Sequence, residues 1–302
     1  MVPIDIKCKI GLGTAQFGLN YGLTNTRGKV SESQICNILD FAWKSGVRIL
    51  DTARVYGDSE AVLGRVLSSK DTFKIVTKIT LTKEEALTQK GVNNFRKSFE
   101  DSLNLLGRSS VYGLLIHDSK DIFRFDSHHL IRCLEELKKG GLVKKIGGSV
   151  YFGHEIDGIL NRFTPDIIQL PFNVVDRRLA ESGHLAKLNK LGVEVHARSL
   201  FLQGVLLKEP KDLPKYFAPI KRNLTYLNAL AVEHGLSKLE VCFAAALAQP
   251  EIGTFVIGIT SLLELEQTVE AVKKVREKRI KFPQILDLDQ RFIDPSKWPS
   301  II

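Results

Sequence analysis

The chain has 302 residues, 44% of them apolar and 25% charged, a make-up that permits a large core and excludes wholesale disorder. The formal net charge of +9 invites a nucleic-acid reading, but basic residues sit beside acids, as in Glu135-Glu136 before Lys138-Lys139. The densest basic run, from Lys273 to Lys281, reads as a solvated helix face, so no nucleic-acid role is expected, though a positive field can steer an anionic cofactor or substrate.

Short apolar strands alternate with amphipathic helices along the chain. Lys9 to Gly13 reads as a strand, followed by a Gly- and Asn-rich loop from Thr14 to Val30. Ser31 opens a helix with Gln34 at the capping-box position, and Ile35, Ile38, Leu39 and Ala42 fall on one face. Gly46 ends it, and Val47 to Asp51 is the second strand. A short helix (Glu60 to Leu67), a third strand (Phe73 to Lys78), a helix (Lys90 to Leu106) and a fourth strand (Val111 to His117) follow. Leu130 to Lys139 is helical, Lys145 to Val150 the fifth strand, Glu155 to Asn161 helical and Asp166 to Leu170 the sixth strand. Leu179 to Leu191 reads as one helix and Val193 to Ala197 as the seventh strand. Two helices, Ile220 to His234 and Ser237 to Ala248, precede the eighth strand, Thr254 to Gly258, and a last helix runs from Leu262 to Lys278.

Eight strands, each followed by helix and without hairpin signals, imply parallel pairing through right-handed crossovers. The expected fold is an α/β (β/α)8 TIM barrel with an extra helix after the seventh strand and a C-terminal tail near the barrel mouth. A doubly wound sheet is the alternative, weakened because Lys9 to Gly18 carries glycines but no G-x-G-x-x-G opening a helix. With no linker or repeat, residues 1–302 are expected to form a single domain. Met1 to Lys9 lacks the apolar centre of a signal peptide, and no apolar run reaches the ~20 residues of a membrane helix. A cytoplasmic location follows as an expectation. Cys8, Cys36, Cys133 and Cys242 are scattered, which argues against metal knuckles and disulfides and for buried structural thiols.

A barrel presents its chemistry at the carboxyl ends of its strands. In order these ends carry Gly13-Thr14, Asp51 with Tyr56, Lys78, His117, Ser149, Gln169 with Asn173, Arg198-Ser199, and Gly258 with Thr260-Ser261. Alone, Asp51 could cap a turn, Lys78 could snorkel to water and His117 could be a satisfied buried histidine. Together, four ionisable groups at successive strand ends form a site.

The sequence resembles an aldo-keto reductase. Asp51-Thr-Ala-x-x-Tyr56-Gly57, Lys78 after an apolar strand and Leu114-Leu-Ile-His117 match that family's four-residue active site in identity, order and approximate spacing. Ile146-Gly-Gly-Ser149, Gln169-x-x-x-Asn173 and Ser199-x-x-x-Gln203-Gly204 match further positions, from Gly11 to about Ala271. The resemblance implies hydride transfer between a nicotinamide cofactor and a carbonyl carbon, with Tyr56 as general acid. An unperturbed tyrosine ionises near pH ~10, and a neighbouring ammonium favours the phenolate, which is the role implied for Lys78. Asp51 would keep Lys78 charged and in place, and His117 would position the carbonyl oxygen. No metal is expected.

Carried over residue by residue, Ser149 and Gln169 would bind the nicotinamide carboxamide, and Arg198 falls where many relatives place a stacking tyrosine. Ser199, Phe201 and Gln203 would line the pyrophosphate path, with Gly204 permitting close backbone approach. Gly13, Thr14, Gly258 and Gln267 complete the expected cofactor shell. After the eighth strand, where NADP(H)-preferring relatives place a cation, the chain offers Thr260, Ser261 and Glu264. NADP(H) remains the family default, with NAD(H) close behind.

Substrate contacts are expected from Phe17 to Arg27, Asp118 to Phe125 and Phe282 to Ile302. Asn20, Tyr21, Asn25, Arg27, Lys120 and Arg124 make these loops polar, pointing to a small carbonyl compound such as a sugar or nucleotide-sugar rather than a steroid. Two other readings stand beside this: a nicotinamide-binding sensor or regulatory subunit without turnover, and a sugar dehydratase or epimerase that uses bound cofactor transiently.

Overall fold

The computed structural model describes residues 9–68, 72–81, 89–124, 127–278, 280–282 and 289–299. Eight strands close into a barrel in chain order: β1 (Ile10–Gly13), β2 (Ile49–Asp51), β3 (Lys74–Ile79), β4 (Val111–Ile116), β5 (Val143–Ser149), β6 (Ile167–Pro171), β7 (Glu194–Arg198) and β8 (Ile252–Gly258). Every neighbouring pair is parallel, and β8 returns to β1 through Gly13 opposite Gly258. The strands are apolar nearly throughout because side chains on one face fill the barrel and those on the other meet helices.

The helices are α1 (Ala15–Gly18), α2 (Glu32–Lys44), α3 (Ser59–Val66), α4 (Gln89–Leu106), α5 (Ser127–Lys139) and α6 (Gly153–Leu160) in the first six repeats. After β6 come α7 (Arg178–Glu181) and α8 (His184–Lys190), then α9 (Lys221–His234), α10 (Lys238–Leu247), α11 (Leu262–Val275) and α12 (Gln290–Ile293). The expected barrel, its extra helix after the seventh strand and a tail reaching the mouth at Pro295 are all present.

Local expectations differ in four places. The segment expected as one helix from Leu179 to Leu191 is two, because Gly183 turns left-handed (φ 80°) between α7 and α8. Ser31 caps α2 by backbone position only. Residues 31–34 are exposed, so water can satisfy the first N–H groups, and the Ser31 hydroxyl meets Ser33 Oγ at 3.2 Å instead. The loop after β1 contains α1, which is pinned against the chain around Tyr56. Among the cysteines, Cys133 and Cys242 are buried as expected but Cys36 is exposed on α2, and Cys8 lies outside the described residues. Tail residues 283–288 and 300–302 also lie outside them, as do Phe125 and Arg279. Among the described residues no helix is long and apolar enough to cross a membrane, and no group of three His, Cys, Asp or Glu could hold a metal ion.

The period-two alternation of a strand sorts the barrel interior into layers. Ile49, Val76, Leu115 and Ile167 form an apolar cluster separate from the main core. Two residues further along each chain, on the same inward face, stand Asp51, Lys78, His117 and Gln169. Below the cluster lies a polar layer at the amino ends of the strands. Here Glu194 accepts hydrogen bonds from Tyr112 Oη (2.7 Å), His196 Nε2 (2.7 Å) and Lys145 Nζ. Burial works against the Glu194 charge, but the His196 and Lys145 contacts outweigh it and hold the carboxyl down to about 2.

A folded-state value below the unfolded one gives stability that is full above the usual carboxylate range and is lost as pH falls through the lower value. Acid unfolding of the wild type should therefore steepen between pH 4.5 and 2. Glu194→Gln should be less stable at neutral pH and show a flatter dependence over that window in urea titrations.

Candidate active site

Asp51 ends β2 with its side chain turned into the barrel, where Lys78 of β3 and Gln169 of β6 reach it. Lys78 Nζ lies 2.5 Å from Asp51 Oδ1 and donates a second hydrogen bond to the Thr52 carbonyl at 2.9 Å. Gln169 Nε2 donates to Asp51 Oδ2 at 2.7 Å, so both carboxylate oxygens are engaged. Lys78 is 1% exposed and Asp51 2%. Burial alone would push the lysine down, but the Asp51 carboxylate, and then Tyr56, outweigh it and hold the ammonium above its usual range. A buried ion pair is tolerable only with such added hydrogen bonds.

Tyr56 stands over this pair. Its ring centroid lies 5.1 Å from Lys78 Nζ and 5.9 Å from the His117 ring, with the two rings at 86°. The strand-end chain is extended by Thr52 N donating to Val76 O (2.8 Å) and Arg54 N to Lys78 O (3.0 Å), and turns where Tyr56 N meets Ala53 O (3.0 Å). Gly18 permits the close approach of α1. A Cβ there would come within 1.9 Å of the Tyr56 carbonyl oxygen, and Gly57, at φ 58°, faces Gly18 in turn. His117, just past β4, is anchored by its backbone N on Ile79 O (2.9 Å). Burial, then the charges of Lys78 and Arg198, push its imidazole down to about 3, so the ring is neutral near pH 7. Among the described residues its Nδ1 is buried and has no hydrogen-bond partner, and the same holds for Gln16 Oε1.

A cavity of about 570 Å³ runs from this cluster across the barrel mouth. Of the residues singled out from sequence, Gly13, Asp51, Tyr56, His117, Ser149 and Gln169 line its inner end. Arg198, Ser199, Phe201, Gln203 and Gly204 line one side, and Gly258, Thr260, Glu264 and Gln267 the far end. Lys78 sits behind the wall. Thr14 is fully buried, and its hydroxyl donates to Asp51 O at 3.1 Å; it is linked through Ser59 Oγ to Thr52, so it locks strand ends together rather than facing the cavity. Ser261 also stays off the wall, capping α11 through its Oγ and the Glu264 N–H (3.3 Å).

Two side chains take geometries that spacing did not announce. Gln203 clasps the loop after β1: its Oε1 accepts from Leu23 N (3.1 Å), its Nε2 reaches Tyr21 Oη (3.3 Å), and its carbonyl accepts from Thr24 Oγ1 (3.2 Å). Ser199, Leu202 and Gln203 all have positive φ, and a Cβ on Gly204 would strike Thr24 Oγ1 at 2.0 Å. Glu264 is bonded to its own turn, accepting from Thr260 N and Thr260 Oγ1, both at 2.7 Å. Gln16, Tyr151 and Thr268 also line the cavity and were not singled out from sequence, while Thr24 lines it from within the loop expected to meet substrate. Tyr151 lies two residues past Ser149, so an alternation carried past that strand end would have found it, whereas Gln16 stands on α1, where a period of two does not hold. The elongated cleft, the unpartnered Gln16 and His117 atoms within it and the left-handed run beside it suit a long polar ligand such as a dinucleotide.

The Aldo/keto reductase family model matches residues 9–285. The chain is 24% identical to L-galactose dehydrogenase of Arabidopsis thaliana, over 99% of this chain and 98% of that one. It is 24% identical to pyridoxal 4-dehydrogenase of Microbacterium luteolum, over 86% of this chain and 88% of that one. Among solved structures, an aldo-keto reductase from Bacillus halodurans in its holo form superposes with a TM-score of 0.70 at 21% identity, covering 89% of this chain and 90% of that one.

Removing one partner of a buried pair strands the other, at about 3–5 kcal/mol. Asp51→Asn should lower stability in urea by roughly 3 kcal/mol at pH 7. Without Asp51, burial dominates and the Lys78 value falls below its unfolded one. The deficit should then shrink at pH 9.5, where the lysine can be buried neutral. An equal deficit at both pH values would mean that Asp51 does not hold the Lys78 charge.

Proposed function

Since the chain belongs to the aldo/keto reductase family, we propose that it is a carbonyl reductase in which Tyr56 is the general acid. The observation that carries this reading is the buried Asp51–Lys78 pair directly beneath Tyr56, with neutral His117 across from it. A bound nicotinamide dinucleotide supplies the hydride. The chain's own residues do the rest. Tyr56 gives its hydroxyl proton to the carbonyl oxygen as negative charge develops there, and the Lys78 ammonium stabilises the phenolate left behind. Asp51, fixed by Gln169, keeps that ammonium charged and aimed. His117, uncharged, donates a hydrogen bond to the carbonyl oxygen and sets its position without competing as an acid.

Ser149 and the side-chain amide oxygen of Gln169 take the nicotinamide carboxamide in this reading. Ser199, Phe201, Gln203 and Gly204 follow the pyrophosphate, and Gly258, Thr260, Glu264 and Gln267 surround the adenosine ribose. Thr14 and Ser261 act from behind the wall as positioning residues. NADP(H), the family default, and NAD(H) are both accepted. The ribose end carries the Glu264 carboxylate, which repels a 2′-phosphate and tolerates ribose hydroxyls. The substrate is a small polar carbonyl compound of sugar-like character. Tyr21, Thr24, Asn25, Arg27 and Tyr151 make the cavity mouth polar, and one relative is named for L-galactose.

Fluorescence titration and steady-state kinetics of the wild type and Tyr56→Phe test this together. The variant should lose a factor of ~10²–10⁴ in carbonyl reduction while binding cofactor within threefold of the wild type. Dissociation constants for NADPH and NADH should lie within tenfold of each other. A Tyr56→Phe protein that keeps most of its turnover removes the assigned acid, and a hundredfold NADPH preference removes the role given to Glu264. Reduction of hydrophobic aldehydes far ahead of open-chain sugars would contradict the substrate class.

A further inference from the structure

We propose that the carbonyl substrate carries an oxyanion, a carboxylate or a phosphate, and that the edge of the Arg198 guanidinium is its seat. This rests on the carbonyl-reductase reading and narrows its substrate class. Arg198 is the last residue of β7 and lies two positions past the buried His196 on the inward face, half-buried in the cavity wall. One face of its guanidinium is covered by the Tyr151 ring, 4.1 Å from the centroid. Among the described residues its guanidinium has two acceptors, Val150 O at 3.2 Å from Nη2 and Ser199 Oγ at 3.5 Å from Nη1. A guanidinium has five N–H donors in a fork matched to a carboxylate or phosphate. Donors are left to spend.

The charge inventory of the cavity points the same way. Asp51 is neutralised by Lys78, and Glu264 sits at the far end among Thr260 donors. Among the described residues no carboxylate pairs with Arg198, so the reacting end of the cleft carries an uncompensated positive charge. A half-buried cation of this kind is costly alone and is relieved by a bidentate anion. The seat is also near the chemistry, because the Arg198 charge contributes to keeping His117 neutral. Tyr21 adds a phenol that burial and then Tyr56 hold in its protonated, donating form, up to about 12. An anion on Arg198 with its carbonyl oxygen between Tyr56 and His117 therefore places both ends of a short substrate.

Two matched pairs of aldehydes test this: 4-oxobutanoate against butanal, and glyceraldehyde 3-phosphate against glyceraldehyde. In the wild type, kcat/KM for the anionic member should exceed its neutral partner's by tenfold or more in at least one pair, and the pair that shows it separates carboxylate from phosphate. Arg198→Leu should collapse that ratio to near one, and Arg198→Lys, which keeps the charge but not the fork, should retain part of it. Each ratio is taken at saturating cofactor and against the neutral partner on the same protein, so a change in cofactor affinity, expected if Arg198 also stacks on the nicotinamide, cancels from it. Ratios near one in the wild type overturn the anion seat and leave the carbonyl-reductase reading standing. A ratio that survives in Arg198→Leu overturns the seat as well. Cofactor consumption with none of the four counts against the reading itself.

Discussion

Everything at the mouth of this barrel depends on one buried ammonium. Lys78 is enclosed in the wall between β2 and β3, where an unpaired charge would be expelled or neutralised. Three acceptors or donors in sequence prevent that: the Asp51 carboxylate, the Thr52 carbonyl, and Gln169, which holds the second Asp51 oxygen from across the barrel. The pair is therefore a three-strand device. It requires the barrel to be closed, because β2 and β3 alone would leave Asp51 half-satisfied. In the proposed reaction the Lys78 ammonium stabilises the phenolate that Tyr56 leaves behind, and it adds to the burial that keeps His117 neutral.

The remaining structure serves to hold that device dry and in register. The apolar layer of Ile49, Val76, Leu115 and Ile167 separates it from a second polar layer around Glu194, so the two sets of charges do not share solvent. Above, the loops after β1 and β7 are tied together by Gln203 and by the close contact of Thr24 with Gly204. Such strained, left-handed backbone is kept only where surrounding contacts over-determine it, here along the side of the cavity. Gly18 and Gly57 do the same for Tyr56, permitting α1 to press against its backbone.

Much of this was legible in the chain before any coordinates. Strand-helix alternation gave the barrel, because parallel strands buried on two faces read as short apolar runs that differ plainly from the amphipathic helices. Asp51, Tyr56, Lys78 and His117 could be placed because each lies within a few residues of a strand end, where chain position and spatial position coincide. What failed depended on hydrogen bonds and backbone turns, some local and some between distant segments, that spacing leaves open. The role of Gln203 as a clasp is made by loops about 180 residues apart. Thr14 is turned away from the cavity by Asp51 and Ser59, 37 and 45 residues along the chain, and Ser261 by its cap on the Glu264 N–H. Likewise, the pairing of Glu264 with Thr260 is a local hydrogen-bond choice that the residue types alone leave open. The Gly183 break between α7 and α8 was missed because helical periodicity continued across it.

The most direct test is the rate of hydride transfer in a single turnover, measured with 4-deuterated and ordinary reduced cofactor, in the wild type and in Lys78→Met. If Lys78 supplies the charge that the proposed acid needs, the variant should bind cofactor normally, keep a full isotope effect and lose roughly a thousandfold in the transfer step, within the range of removing an electrostatic or proton-transfer partner. A variant that transfers hydride within tenfold of the wild-type rate would contradict the account at its base.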